Sequence, residues 1–128
     1  MPLITCYDLK ELQFARPNFQ FNLPEQQVHL WKISVSSTNR PETYFKLLND
    51  QEKQRASLLN HPEKRLDFIT GRAYLKTLCA KYMELPICDV RIINDANNKP
   101  TVSAPGKHLH FSISRSGSIL LLAFCDSP

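Results

Sequence analysis

Polar and apolar residues alternate along Val28-His29-Leu30-Trp31-Lys32-Ile33-Ser34-Val35, a period of two that predicts a first strand. That alternation turns Val28 and Leu30 inward, with Ile33 or Val35 completing the face. Pro41 then opens a short helix through Leu48, because proline suits a first helical position. Asn49 or Asp50 caps the next helix, which carries Glu52 and Lys53 in its opening turns and runs to Leu59. Asn60-His61-Pro62 breaks it. A longer helix follows from about Glu63 to Met83, ending before Pro86. Val90 to Ile93 reads as a strand and Asp95 to Pro100 as a polar turn. Lys107 to Ser114 and Ser118 to Cys125 form a hairpin around Arg115-Ser116-Gly117. Residues 1–27, with Pro2, Pro17 and Pro24 among short apolar pieces, read as an irregular arm lying on a domain of residues 28–128. The predicted class is α+β (α/β), a mostly antiparallel sheet packed on the long helix.

The long helix contains a conflict. At 100° per residue, Leu66, Phe68, Ile69, Ala73, Leu75, Leu78 and Cys79 cover a broad apolar arc. Arg65, Arg72 and Lys76 form a stripe near the middle of it, while Glu63, Asp67, Thr70, Thr77 and Lys81 occupy the opposite face. Cations inside an apolar face are costly unless each is paired or reaches water. They snorkel along the packing surface, border a ligand cleft, or meet carboxylates; the pattern leaves all three open.

Composition narrows the class. A chain of 128 residues suits one domain, and 42% hydrophobic with 22% charged residues is ordinary for a globular protein. The start has neither the cationic stretch nor the apolar core of a signal peptide, and the longest apolar run, Ile119 to Cys125, is too short to span a bilayer. A cytoplasmic location is expected. Cys6, Cys79, Cys88 and Cys125 are widely spaced without zinc-ligand patterning; Cys79 and Cys125 read as small buried hydrophobes. The net charge of +4 comes from one segment: Gln51 to Tyr82 holds seven basic residues against three acidic ones. Such a patch is either a solvated helix face or a surface for an anionic partner.

Chemistry gathers near the C-terminal end. Phe111-Ser112-Ile113-Ser114-Arg115-Ser116-Gly117 is a strand entering a hydroxyl-rich turn, where hydroxyls, backbone N–H groups and a guanidinium can converge on phosphate oxygens. The same residues also make an ordinary hairpin turn, and Asn97-Asn98-Lys99-Pro100 is turn-like as well. Together with the basic helix they favour a polyphosphate ligand. No glycine-rich phosphate loop, dinucleotide fingerprint or Gly-x-Ser-x-Gly elbow is present, and alternation turns His108 and His110 to solvent. Aromatic residues interleave too little with the basic ones for nucleic-acid binding to lead.

The order of these elements resembles the N-terminal half of a 4′-phosphopantetheinyl transferase of the large, surfactin-synthetase-activating type. The matching residues are Val28-His29-Leu30-Trp31 as first strand and Gln51-Glu52-Lys53-Gln54-Arg55 opening a helix. Gly71-Arg72 with Leu75-Lys76 is similar to the family's Gly-Arg-x-x-x-[Arg/Lys] helix. Asn98-Lys99-Pro100 stands where the family has Gly-Lys-Pro, and Phe111 to Gly117 where it has Phe-Asn-Ile-Ser-His-Ser-Gly.

The resemblance implies transfer of phosphopantetheine from coenzyme A to the serine hydroxyl of an acyl or peptidyl carrier protein, with 3′,5′-ADP leaving. It implies that Lys53, Lys99, Ser114, Arg115 and Ser116 contact the coenzyme A phosphates, that Pro100 shapes the adenine side, and that Arg72 and Lys76 serve structural pairing. Three departures stand out. Arg115 replaces a histidine and cannot exchange protons near neutral pH. Asn98 replaces a glycine, a mild change because asparagine tolerates a left-handed backbone. Asp67 lies where a basic or hydroxyl residue is common, and an acid there repels a nearby phosphate. The family's Gly-[Ile/Val]-Asp-x-Glu magnesium segment and its Trp-x-x-Lys-Glu helix are missing from these residues. The expectation is a first half of a pseudo-two-fold fold, distinct from the short trimeric class. Magnesium is needed only in the complete enzyme, the isolated half is inactive, and it self-associates through its half-interface. The alternative is a non-catalytic module binding a phosphate-bearing ligand or a carrier protein.

Overall fold

A computed structural model describes residues 3–9, 27–34, 41–94, 96–97, 99–103, 109–117 and 119–125. Val35, the loop 36–40, arm residues 10–26, Asn98, residues 104–108 (with His108) and Ser118 lie outside them. The order is β1 (Leu3–Leu9), β2 (Gln27–Ser34), α1 (Pro41–Phe45), α2 (Asp50–Ser57), α3 (Pro62–Met83), a 3-10 turn (Ile87–Asp89), β3 (Arg91–Asn94), β4 (Pro100–Ser103), β5 (His110–Ser116) and β6 (Ile119–Cys125). The main sheet runs β1-β2-β6-β5, and β3 with β4 forms a separate antiparallel ribbon. The expected α+β class, largely antiparallel and packed on the long helix, is the observed one. The arm is where the expectation fails: Leu3–Leu9 is a strand, parallel to β2 from Leu3 opposite Gln27 to Leu9 opposite Ile33. Its seven residues contribute backbone hydrogen bonds to the sheet, so residues 3–9 belong to the domain.

The helix-facing side of β2 also differs from expectation. His29, Trp31 and Ile33 are buried, while Val28 and Leu30 are only half-buried. The parity follows from partners. Trp31 pairs with Leu122 of β6 and His29 with Phe124, both fully buried, so the strand turns its largest side chain toward α3. There the Trp31 indole donates to the Tyr82 hydroxyl at 2.9 Å, and Tyr82 packs on Phe124 with ring centroids 4.9 Å apart. A simple hydrophobicity alternation discounts a tryptophan and a histidine that find a shared polar partner.

The helix α3 is enclosed on several sides rather than amphipathic. From Ala73 to Ala80 every residue is buried, and Thr70 and Thr77, expected on a solvated face, are buried too. Tyr74 meets Tyr44 of α1 at 5.7 Å between centroids, and Gly71 lets Leu120 of β6 approach to 3.3 Å from where a β-carbon would stand. Pro62 opens the helix, and Glu84 closes it in a left-handed conformation (φ 54°), with the Leu85 N–H reaching the Ala80 carbonyl at 3.0 Å. Burial pushes the Cys79 thiol up to about 12, despite Arg72 nearby, so it acts as the small hydrophobe expected.

Two cations of the stripe, Arg72 and Lys76, resolve into pairing, while exposed Arg65 donates to the Leu59 carbonyl at 2.8 Å. Asn49 caps α2 in a reciprocal box: its side chain accepts from the Glu52 N–H at 2.8 Å, and Glu52 accepts from the Asn49 N–H at 2.9 Å. Lys76 donates to the same Glu52 oxygen at 2.9 Å and to the Leu47 carbonyl at 3.0 Å. Arg72 Nε stands 3.6 Å from the other Glu52 oxygen. Arg72 and Lys76 thus do the structural pairing expected of them, and Glu52 and Lys76 are both buried.

Two outcomes follow. Removing one partner of a buried pair strands the other charge, at a cost of about 3–5 kcal/mol. Lys76→Met is therefore expected to lower the urea midpoint sharply, and Lys76→Met with Glu52→Gln to recover part of the loss. Trp31 donates to the Tyr82 oxygen, and His29 Nδ1 stands 2.6 Å from the same hydroxyl; the tautomer in which Nδ1 accepts from Tyr82 holds the imidazole neutral. Burial lowers the His29 pKa below its usual 6.5. The unfolded chain then takes up its proton first, so this stability is complete above pH about 6.5 and is lost as pH falls toward the depressed folded value. Denaturation between pH 7.5 and 5.5 should show a steeper loss in the parent than in His29→Gln, whose amide oxygen can accept from Tyr82 without titrating.

Candidate functional site

The β5–β6 hairpin turns at Gly117, whose φ of 58° is in the left-handed region that glycine alone enters cheaply. The strand extends further than expected: Arg115 pairs with Leu120 and Ser116 with Ile119 inside the ladder, so neither belongs to the turn. Pleating then decides where the side chains go. Phe111, Ile113 and Arg115 share the face that holds Phe124, Leu122 and Leu120, toward α3. Ser112, Ser114 and Ser116 alternate to the other face, and all three are exposed. The serine hydroxyls and the Arg115 guanidinium therefore do not converge on one concavity through their side chains.

Arg115 reaches α3 instead. Its Nη2 donates to Asp67 Oδ2 in an ion pair, and its Nε donates to the Gly117 carbonyl at 3.1 Å. The pair is half-exposed, with 42% of the Arg115 side chain and 21% of that of Asp67 open to solvent, so its own contribution to stability is at most about 1 kcal/mol. Asp67 lies one helical turn before Gly71, the residue against which Leu120 packs. The close approach at Gly71 sets the hairpin end over this turn of α3. That spacing, an acid four residues before a glycine, is the signal that could have named Asp67 as a partner rather than a repulsive neighbour.

The remaining candidates sit on other elements. Lys53 is half-buried on α2 with its ammonium 5.3 Å from the Phe45 ring centroid. Lys99 is exposed immediately before β4, and Pro100, half-buried, opens that strand opposite Asn94. The strand β4 touches β5, and α2 packs on α3, which Arg115 holds through Asp67. The six residues are thus distributed over three elements around α3 and β5, with Arg115 as the one joined to the helix.

Two further residues were not singled out as site residues. The Phe68 ring lies between the guanidinium groups of Arg55, at 5.3 Å, and Arg72, at 5.2 Å. Burial chiefly lowers the Arg72 pKa, with Arg55 acting in the same direction and Glu52 supporting its charge. Arg55 is exposed, so the stack presents positive charge to solvent. Among the described residues no three His, Cys, Asp or Glu side chains are placed to hold a metal ion, and the buried carboxylate Glu52 is committed to Lys76 and Arg72. No helix among them is long and apolar enough to cross a membrane.

No family model matches the chain. A holo-[acyl-carrier-protein] synthase of Geobacillus sp. (strain WCH70) is 33% identical over 97 residues, covering 70% of this chain and 81% of that protein. Another, of Staphylococcus epidermidis, is 26% identical over 84 residues, 61% of this chain and 72% of that protein. Among solved structures, a holo-(acyl-carrier-protein) synthase from Bacillus anthracis str. Ames in complex with CoA (3′,5′-ADP) superposes with a TM-score of 0.60 at 22% identity, over 76% of this chain and 91% of that one. The Helicobacter pylori holo-[acyl-carrier-protein] synthase in complex with coenzyme A gives 0.55 at 17% identity, over 78% and 99%. At those identities the two structures speak for the fold alone. The relatives are holo-[acyl-carrier-protein] synthases where the motif order resembles the surfactin-synthetase-activating type; both are phosphopantetheinyl transferases. Their lengths are similar to that of this chain, which does not support setting it apart from short relatives. By the Geobacillus match, the chain belongs to the holo-[acyl-carrier-protein] synthase family of 4′-phosphopantetheinyl transferases.

Proposed function

We propose that the chain provides the coenzyme A-binding side of a 4′-phosphopantetheinyl transferase whose motif order resembles the N-terminal half of the surfactin-synthetase-activating type. The observation that carries the transferase reading is the 33% identity over 81% of the Geobacillus synthase. The finer assignment is supported by the run of motifs from Val28-His29-Leu30-Trp31 to Phe111–Gly117. In the reaction a carrier-protein serine oxygen bonds to the β-phosphorus of coenzyme A. The bond from that phosphorus to the bridging oxygen breaks, and 3′,5′-ADP leaves. Lys53, Lys99 and Arg115 are the cations we assign to the phosphates, where donors aimed at the leaving oxygens stabilise developing charge. Pro100 would border the adenine, whereas Ser114 and Ser116, turned to the opposite face of β5, are left out of the phosphate set.

The sequence carries neither Gly-[Ile/Val]-Asp-x-Glu nor Trp-x-x-Lys-Glu, so none of its residues is assigned to magnesium or to a general base. Association of two copies is assigned to the main sheet. The sheet face turned from α3 carries half-buried Leu30, Ile119, Leu121 and Ala123, apolar surface suited to it.

The test uses the purified chain with an apo carrier protein, coenzyme A and magnesium. Mass spectrometry should show little or no modified carrier protein, and robust magnesium-dependent turnover would overturn the assignment as an incomplete half. Calorimetry should show coenzyme A binding that weakens roughly tenfold in Lys99→Ala, about 1.4 kcal/mol. Absence of coenzyme A binding would overturn the donor-site reading and leave the carrier-protein-binding alternative.

A further inference from the structure

We infer that Asp67 is the positioning residue for Arg115, fixing which edge of its guanidinium meets a phosphate. The inference rests on the proposed role of Arg115 at coenzyme A, and it concerns a residue to which the motif pattern gives no favourable role. A guanidinium has five N–H donors in a rigid plane. In Arg115 the Nε proton goes to the Gly117 carbonyl and one Nη2 proton to Asp67. The side edge, formed by Nε and Nη2, is thereby used up. Three donors remain, two on Nη1 and one on Nη2; one from each nitrogen makes up the end edge, and 42% of the side chain is open to solvent.

Both anchors of this arrangement are fixed by backbone. Arg115 is inside the β5–β6 ladder opposite Leu120, and Leu120 packs on Gly71 one turn along α3 from Asp67. The carboxylate and the guanidinium are therefore presented to each other by packed elements, unlike two long side chains meeting by chance on a surface. The charge consequence is specific. Arg115 and Asp67 together are neutral, so the pair attracts an anion through oriented donors more than through net charge. Asp67 gives up some long-range attraction and supplies geometry in exchange. Lysine at 115 lacks the fork needed to hold the Gly117 carbonyl, Asp67 and a phosphate in one plane.

Calorimetric titration of the full chain with 3′,5′-ADP, at low and at moderate salt, tests this in Asp67→Ala, Asp67→Asn, Arg115→Ala and the Asp67→Ala/Arg115→Ala double variant. Asp67→Ala should raise Kd about threefold to tenfold by freeing the guanidinium to swing. Asp67→Asn, which keeps an acceptor without the charge, should bind at least as tightly as the parent, with a steeper loss of affinity as salt rises. In the Arg115→Ala background the Asp67→Ala change should have no further effect. A merely structural role for Asp67 would not give rescue by asparagine together with dependence on Arg115. If Asp67→Ala tightens binding or leaves it unchanged while Arg115→Ala weakens it, the positioning role is overturned and the phosphate role of Arg115 stands. If Arg115→Ala itself leaves Kd unchanged, both are overturned.

Discussion

The Glu52 carboxylate is the point on which the helical layer depends. One of its oxygens closes the capping box of α2 and receives Lys76 from the middle of α3. The same ammonium ties down the Leu47 carbonyl after α1, so three helical segments meet at one buried ion pair. In a chain of this size, stability is a small difference between large terms. Interactions that both desolvate charge and fix helix positions then become decisive for which packing is reached. The sheet depends on that packing in turn, because α3 presents Gly71, Tyr82 and the buried apolar residues on which β2 and β6 rest.

Much of this was legible in the sequence, and the limits have physical causes. The helices were marked by local chemistry: Asn49 as a cap with Glu52 in the opening turn, the break at Asn60-His61-Pro62, and Pro86 just past the end of α3. The β5–β6 hairpin was marked by alternation and Gly117. Burial was harder to read. His29 and Trp31 are inside because Tyr82, more than fifty positions away, offers a shared hydroxyl, and no local pattern encodes such a partner. The enclosure of Thr70 and Thr77 likewise reflects elements packing on α3 from several sides, which a single helical wheel does not show. The strand β1 was masked by prolines in the arm around it.

The candidate site was legible as a set of residue types and less so as geometry. Arg115 was identified, yet its assignment to a turn hid its direction. The two extra residues of β5 bring Arg115 and Ser116 into the pleat, where the strand period of two fixes the face each side chain occupies. With β5 running through Ser116, the arginine turns to the helix and the serines turn away. Two residues that looked like separate departures from the family pattern, Arg115 and Asp67, are one another's partners across the hairpin and α3. Substitutions read singly along a sequence miss such compensation because it exists only between elements.

The pairing of β1 with β2 bears on where this domain can be divided. The strand β2 has β6 on one side and β1 on the other, so all of its backbone groups face neighbours. Trimming the chain at residue 28 would strip that second neighbour and bare a row of N–H and C=O groups beside Trp31. An exposed, apolar strand edge of that kind recruits other strands, and fibrous or amorphous association is its usual outcome. Residues 3–9 thus act as a cover for the sheet, and a fragment meant to remain dispersed has to include them.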